Sequence, residues 1–460
     1  MLRPLALAGL LLAPTFARAD EDLKVFVRGY FLGTLKIGAV ELRLGFDFGR
    51  DADGAITATM DSLDQGVSDR KVAAITFEKD KSVLTLKMPD MKAEYVGTVL
   101  NDGDTIKGDF TQGGMKLPLE LKRQPGRVTL NRPQTPKKPY PYESEDLTFP
   151  SRAKGVTLAA SFTRPKGAGP FAAVALISGS GPQDRDESLM GHKPFHVLAD
   201  HLTRAGVSVL RYDDRGIGKS TGDFLKATTR DFADDAAGAV AFLKARKDVG
   251  KVGLIGHSEG ALIAPMVAAE STDVAFIVLL GGPGVTGEEI LYAQGQAIVK
   301  AMGGSPVGLA VQKGVQQKLF ALVKEGADET KIREAVQGLV PKGKEADGQL
   351  GMQLGMLTKP WFKFFLTHDP KTDLVKVKCP VLAITGEKDL QVPPAENLSA
   401  IESALKGAGN SDVTTKTMTG LNHLFQTCKT GLPAEYGKIE ETFAPAALDE
   451  IAGWIKKRAK

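Results

Sequence analysis

A short apolar run, Lys251-Val252-Gly253-Leu254-Ile255, leads into Gly256-His257-Ser258-Glu259-Gly260, and Ala261-Leu262-Ile263-Ala264 follows at once. The run reads as a buried parallel strand, and the segment after the turn reads as the start of a helix packed on it. Two glycines permit a turn too tight for side chains, which leaves the Ser258 hydroxyl exposed at its tip. As five letters the pattern is weak, because chance can supply it. Its strand-turn-helix setting is what constrains the fold: a buried parallel strand needs helices on both faces of its sheet.

The rest of the C-terminal part agrees. From about Glu143 onward, apolar strands alternate with helical stretches, with buried parallel strands expected at 171–178, 207–212, 252–256, 276–281 and 381–385. Asp231–Lys244, with Phe232, Ala236, Val240 and Leu243 at helical spacing, reads as one crossover helix. Such alternation predicts a doubly wound, mostly parallel α/β sheet over residues 143–460. Residues 283–373 break the rhythm with amphipathic helices and the aromatics Trp361, Phe362, Phe364 and Phe365. An insertion between two sheet strands suggests a helical lid over a site, with a plain structural insertion as the alternative.

Residues 20–124 follow a different pattern. Glu41–Phe48 alternates apolar and polar, the mark of a strand with one wet face, and similar runs follow at 56–60, 73–78, 82–88, 94–100 and 117–121. Asp- and Gly-rich breaks separate them, so an antiparallel β meander is expected, a small barrel or sandwich. The segment has no histidine or cysteine, which points to a binding or structural accessory module. Residues 125–142 are rich in proline and read as a semi-rigid linker.

The first 19 residues read as a signal peptide. Arg3 is the positive n-region, Leu5 to Ala13 an apolar stretch too short to span a bilayer, and Ala17-Arg18-Ala19 a cleavage site. Cleavage after Ala19 predicts a periplasmic or secreted protein with no stable membrane anchor. Losing Arg3 and Arg18 lowers the formal charge from +4 to +2, so no strongly basic surface remains and nucleic acid is not expected as a partner. Export would permit a disulfide between Cys379 and Cys428; two free, buried thiols are the plainer expectation.

Serine is a poor nucleophile at neutral pH and needs an adjacent base, itself oriented by a carboxylate. For a serine on such an elbow, acid and base follow in the order Ser, Asp or Glu, His. Only His368 and His423 follow Ser258, and His368 falls inside the insertion, before the last strands. His423, in Gly420-Leu421-Asn422-His423-Leu424-Phe425, is therefore the expected base. Asp389 is the expected acid, because Val381–Thr385 runs into Gly386-Glu387-Lys388-Asp389; Glu387 is its competitor. An oxyanion needs two backbone N–H donors, here Glu259 and, from the loop Ile177-Ser178-Gly179-Ser180-Gly181-Pro182, Ser180, with Gly181 as alternative. The Glu259 side chain is expected to be structural, paired with a nearby arginine.

Two other patterns carry no site. Gly218-Lys219-Ser220 ends like a phosphate-binding loop, but the motif needs glycine where Asp213 stands. His192, His196 and His201 cluster after the oxyanion loop, yet no cysteine is near and the last two are five apart, a poor fit to one helical face. No metal is expected.

With these residues in place, the chain resembles bacterial α/β-hydrolases of the serine-aminopeptidase-like and dienelactone-hydrolase-like branch, and is similar to EstD-type carboxylesterases. The matching stretches are Gly179–Asp186, Arg211–Gly216, the Ser258 elbow, Gly386–Pro393 and Leu421–Gln426. Some relatives also carry an N-terminal β domain. The resemblance implies hydrolysis of a small-molecule carboxylic ester without metal or organic cofactor. Ser178-Gly179-Ser180 replaces the His-Gly-Gly-Gly oxyanion loop of other esterases, so a preference for bulky alcohols is not implied. A serine peptidase acting on short peptides would use the same triad. A third reading is a lipid- or glycan-binding protein with a vestigial hydrolase fold. Oligomeric state is not encoded in any motif here.

Overall fold

The computed structural model describes residues 27–37, 40–100, 103–336, 355 and 357–459. The signal-peptide expectation at 1–19 therefore lies outside the described residues. The chain divides into two compact units, one ending at Thr129 and the other starting at Leu130.

The first unit is one antiparallel sheet of nine strands: β1 (Gly29–Ile37), β2 (Val40–Arg50), β3 (Ile56–Ser62), β4 (Val67–Lys71), β5 (Ala74–Glu78), β6 (Val83–Met88), β7 (Ala93–Val99), β8 (Thr105–Gln112) and β9 (Met115–Arg123). Their order is β4-β3-β2-β1-β9-β8-β7-β6-β5, a meander joined across β1 and β9. Alternation buries one face: Phe31, Phe46, Met60, Leu84, Leu86 and Tyr95 share a core. Arg127, within the stretch read as a linker, binds the buried Asp61 through Nε at 2.9 Å and Asp69 through Nη1 at 2.7 Å.

The second unit carries eight strands: β10 (Glu143–Pro150), β11 (Thr157–Arg164), β12 (Phe171–Ile177), β13 (Ser208–Tyr212), β14 (Val249–His257), β15 (Val274–Leu280), β16 (Val381–Gly386) and β17 (Val413–Met418). Their order is β10-β11-β13-β12-β14-β15-β16-β17, antiparallel at β10 and β11 and parallel from β13 onward. The central strands alternate between two buried faces. In β12, Ala173, Ala175 and Ile177 face one hydrophobic core, while Val174 and Leu176 face another. Helices cover both faces, which is why these strands read as unbroken apolar runs. On one side lie α1 (Pro194–Arg204) and, at the C-terminal end, Pro445–Arg458; on the other lie α2 (Thr229–Lys244) and α3 (Glu259–Glu270).

Between β15 and β16, the described insertion contributes α4 (Gly287–Ala301), α5 (Pro306–Glu325), α6 (Glu329–Val336) and α7 (Pro360–Thr367). Phe320, Val323, Ile332, Phe362 and Leu366 give it a small core of its own. Residues 130–142 hold no helix or strand, yet they are fastened to the second unit. Arg132 donates to the carbonyls of Met190 and Gly437, and Tyr142 Oη donates to Asp200 at 2.8 Å. The stretch expected as a linker at 125–142 thus falls on both sides of the division at Thr129.

Candidate active site

Ser258 sits between β14 and α3 with φ 52° and ψ −116°, a conformation costly for a side-chain-bearing residue. The flanking glycines have a direct steric cause. A Cβ on Gly256 would meet the Gly260 carbonyl oxygen at 2.0 Å, and one on Gly260 would meet the Ile177 carbonyl oxygen at 2.1 Å. Ser258 N–H donates to the Leu280 carbonyl at 2.8 Å, which ties the turn to β15.

His423 lies in the loop after β17 and reaches back to the end of β16. Its Nδ1 is 2.7 Å from Asp389 Oδ2, with both side chains buried. The other oxygen, Oδ1, accepts the N–H groups of Gln391 and Val392, each at 2.8 Å. Three donors thus orient one carboxylate, and an acceptor facing Nδ1 leaves the opposite ring nitrogen free for proton transfer. Asn422 braces the loop by accepting the N–H groups of Leu424 and Gln426. Glu387, the competitor for the acid, instead accepts the Gly420 N–H at 2.8 Å. His368 pairs with Asp373 inside the insertion, at 3.0 Å.

The oxyanion loop follows β12. Gly179 N–H is occupied, donating to Glu187 Oε1 at 2.7 Å. Ser180, Ser258, Glu259 and His423 line one cavity of about 280 Å³. Gly181 lines a smaller neighbouring cavity instead. Glu259 is the first residue of α3, so its N–H points out of a helix N-terminus, a favourable place for negative charge. The structure therefore brings together all five residues singled out in the sequence.

The Glu259 side chain departs from expectation. It meets no arginine: Oε1 accepts from Thr229 Oγ1 and from Trp361 Nε1, each at 2.7 Å. Arg215 is bound to Asp235, through Nε at 2.7 Å and Nη2 at 2.8 Å. Burial pushes the Glu259 carboxyl up, against the hydrogen bonds from Thr229, Trp361 and Ser180. Nearby, burial drives Asp214 to about 8, against hydrogen bonds from Gln183 N–H and the Ser178 hydroxyl.

The cavity wall is largely apolar, with Leu189, Ile290, Leu291, Trp361, Phe365 and Val392, and three glutamines, Gln183, Gln294 and Gln391. Ile290, Leu291, Gln294, Trp361 and Phe365 come from the insertion. Phe362 belongs to the insertion's own core, and Phe364 stacks on His368. Among the described residues, no lysine or arginine lines the cavity.

The remaining histidines have structural partners. His192 is buried between Thr442 Oγ1 and the Tyr436 carbonyl, His196 packs edge-on against Tyr140, and His201 pairs with Asp449. Among the described residues, no group of three or more His, Cys, Asp or Glu could hold a metal ion. Gly218 wraps closely around the Asp213 carboxylate, which Arg185 holds through two nitrogens. Cys379 and Cys428 are both free and half-buried. No helix of the described residues is long and apolar enough to cross a membrane.

A doubly wound sheet with a serine elbow after its fifth strand and a histidine loop after its last defines an α/β-hydrolase, and a serine hydrolase among them. Residues 192–332 match the family model described as "Serine aminopeptidase, S33". The chain is 29% identical over 320 residues to Esterase EstD of Thermotoga maritima, covering 69% of each chain. Among solved structures it is similar to the Pyrococcus furiosus esterase Pf2001, with TM-score 0.45, 16% identity and coverage of 73% of this chain and 100% of that one. It is also similar to the hypothetical protein PA2218 of Pseudomonas aeruginosa, with TM-score 0.46, 17% identity and coverage of 72% and 98%. In fold the chain is an α/β-hydrolase, and its similarities lie with a serine-aminopeptidase model and with esterases.

Proposed function

We propose that this protein is a serine carboxylesterase that hydrolyses small or medium acyl esters through an acyl-enzyme intermediate. The observation that carries the reading is the buried His423–Asp389 contact of 2.7 Å, with Ser258 and His423 opening on one apolar cavity. Ser258 Oγ attacks the ester carbonyl while His423 takes its proton. The N–H groups of Ser180 and Glu259 receive the oxyanion, and the alcohol leaves with the proton that His423 returns. Water, deprotonated by the same histidine, then releases the acid.

A cavity of about 280 Å³ lies near the low end of small-molecule sites, which suits a short or medium acyl chain. Its wall offers glutamines but no lysine or arginine among the described residues, so it favours uncharged esters over anionic ones. The match to a serine-aminopeptidase model supports a second reading, a peptidase acting on short peptides. Turnover of a p-nitrophenyl acyl ester series against aminoacyl anilides separates the two. Ester turnover dominating, and lost in Ser258→Ala, supports the esterase; anilide turnover dominating overturns it.

The N-terminal leader supports export with cleavage after Ala19, and residues 20–124 serve as an accessory module. The mass of the mature N-terminus, measured on protein from the periplasmic or extracellular fraction, tests the first point. An acyl-length panel with and without residues 20–124 tests the second.

A further inference from the structure

Glu187 and His257 are buried beside Ser258, only 5% and 7% exposed, and the acyl transfer described above uses neither. Glu187 Oε1 accepts the Gly179 N–H at 2.7 Å and faces His257 Nδ1 at 2.8 Å. On the other side of the ring, His257 Nε2 lies 3.0 Å from the His423 carbonyl oxygen.

Counting protons narrows the charges. A carbonyl oxygen only accepts, so Nε2 must carry N–H. As a carboxylate oxygen, Oε1 accepts both the amide N–H and an N–H from the facing Nδ1, an arrangement that the raised His257 pKa favours over a carboxylic acid donating to a neutral ring. An imidazole with two N–H groups is an imidazolium, and Glu187 is its carboxylate partner. Burial alone would lower the His257 pKa, but the Glu187 charge and the hydrogen bonds from Glu187 and the His423 carbonyl outweigh it, leaving the pKa above its usual value. The titratable groups facing His257 are Glu187, the His423 ring at 4.8 Å between centroids, and Asp389 through its charge.

The contacts join three catalytic segments that are far apart in sequence. Gly179 belongs to the oxyanion loop, His257 to the elbow and His423 to the base loop. Because Glu187 occupies the Gly179 N–H, the next N–H of the loop, that of Ser180, is the one left for the oxyanion. Glu187 itself holds φ 52°, a left-handed conformation in a residue with a full side chain, as sites under functional constraint often do.

We propose that Glu187 and His257 form a buried ion pair that positions the machinery, Glu187 setting the oxyanion loop through Gly179 and His257 holding the base loop through the His423 carbonyl. Both are positioning residues, and the inference rests on the roles given above to Ser180 and His423.

The test is Glu187→Gln in the full-length protein. The amide oxygen can still accept the Gly179 N–H, but the side chain cannot balance an imidazolium, so His257 becomes neutral and gives up one donor. The expected result is a fall in kcat for a p-nitrophenyl ester on the order of 10²-fold, with KM changed by less than about threefold and a near-native melting temperature. The companion measurement is ¹⁵N NMR of histidine-labelled wild-type protein. It should show one imidazole protonated on both nitrogens across neutral pH, a signal absent from Glu187→Gln. Retention of kcat within about twofold, or a singly protonated His257 in the wild type, overturns the proposal. The NMR signature does not depend on turnover, so its failure is distinguishable from failure of the esterase reading.

Discussion

Trp361 Nε1 donates to Glu259 Oε1 at 2.7 Å, so the helical insertion is hydrogen-bonded to the residue that follows the nucleophile. Thr229 of α2 donates to the same oxygen. Both donors end on one oxygen, which a glutamine amide keeps as an acceptor. Glu259→Gln should therefore change stability by less than ~1 kcal/mol, and it leaves the backbone N–H where it was, so kcat should hold within a few fold. Glu259→Ala strands two buried donors and should cost ~2–4 kcal/mol. Denaturant unfolding alongside ester kinetics would distinguish a backbone role from a side-chain role at this position.

The two oxygens of Asp389 have different duties, which makes Asp389→Asn informative. Oδ1 accepts two backbone N–H groups, so an asparagine there must keep its carbonyl on that side. Its NH₂ then faces His423 Nδ1 and forces the wrong tautomer on the ring. A loss on the order of 10⁴-fold in kcat is expected, with the fold intact. Ser258→Ala should lose at least about 10³-fold. Glu387→Gln, which can still accept the Gly420 N–H, should leave turnover close to wild type. Steady-state kinetics on one ester decides all three, and an inactive Glu387→Gln would reopen the choice of acid.

Asp214 predicts a pH dependence of stability. Its folded pKa of about 8 lies far above that of an unfolded aspartate, so the native state holds a proton that the unfolded state has released. Stability must then fall as pH rises from about 4 to about 8, by at most ~1.4 kcal/mol per pH unit from this group. Asn can donate to the Ser178 hydroxyl and accept from Gln183 N–H while never ionising. Asp214→Asn should flatten that decline and be more stable than wild type above about pH 8. Urea midpoints measured at several pH values give the slope; parallel curves for the two proteins would rule the group out.

How far the sequence revealed this arrangement depends on the kind of signal each part carries. The central strands β12, β14, β15 and β16 are buried on both faces, so their composition alone marks them. The edge strands are nearly silent: β10 buries little besides Phe149, and β17 reads Val-Thr-Thr-Lys-Thr-Met. In the first unit, β1 and β8 carry glycines, and β4 is polar and exposed, which hides their alternation. Ser258, Asp389 and His423 were legible because each occupies a strand end in a set chain order. The partners of Glu259 lie 30 and 102 residues away, and Glu187 lies 70 from His257, distances at which no local pattern links them.

Gln134 shows what the proline-rich stretch hides. It lies in a segment without helix or strand, yet its Oε1 accepts the N–H groups of Thr442 and Phe443, at 2.6 and 3.0 Å, and its Nε2 donates to the Phe443 carbonyl at 2.7 Å. Thr442 in turn contacts His192, and Phe443 stacks on Phe425, two residues past His423. A side chain expected to sit in a spacer therefore supports the far side of the base loop. Removing it in Gln134→Ala leaves two backbone donors and one acceptor without partners at a partly buried site, which should cost ~2–4 kcal/mol. Because Phe443 braces Phe425, the same change should lower kcat by a few fold while KM stays near wild type. Thermal unfolding and ester kinetics on the purified variant check both effects, and a variant as stable as wild type would mean that this contact is dispensable.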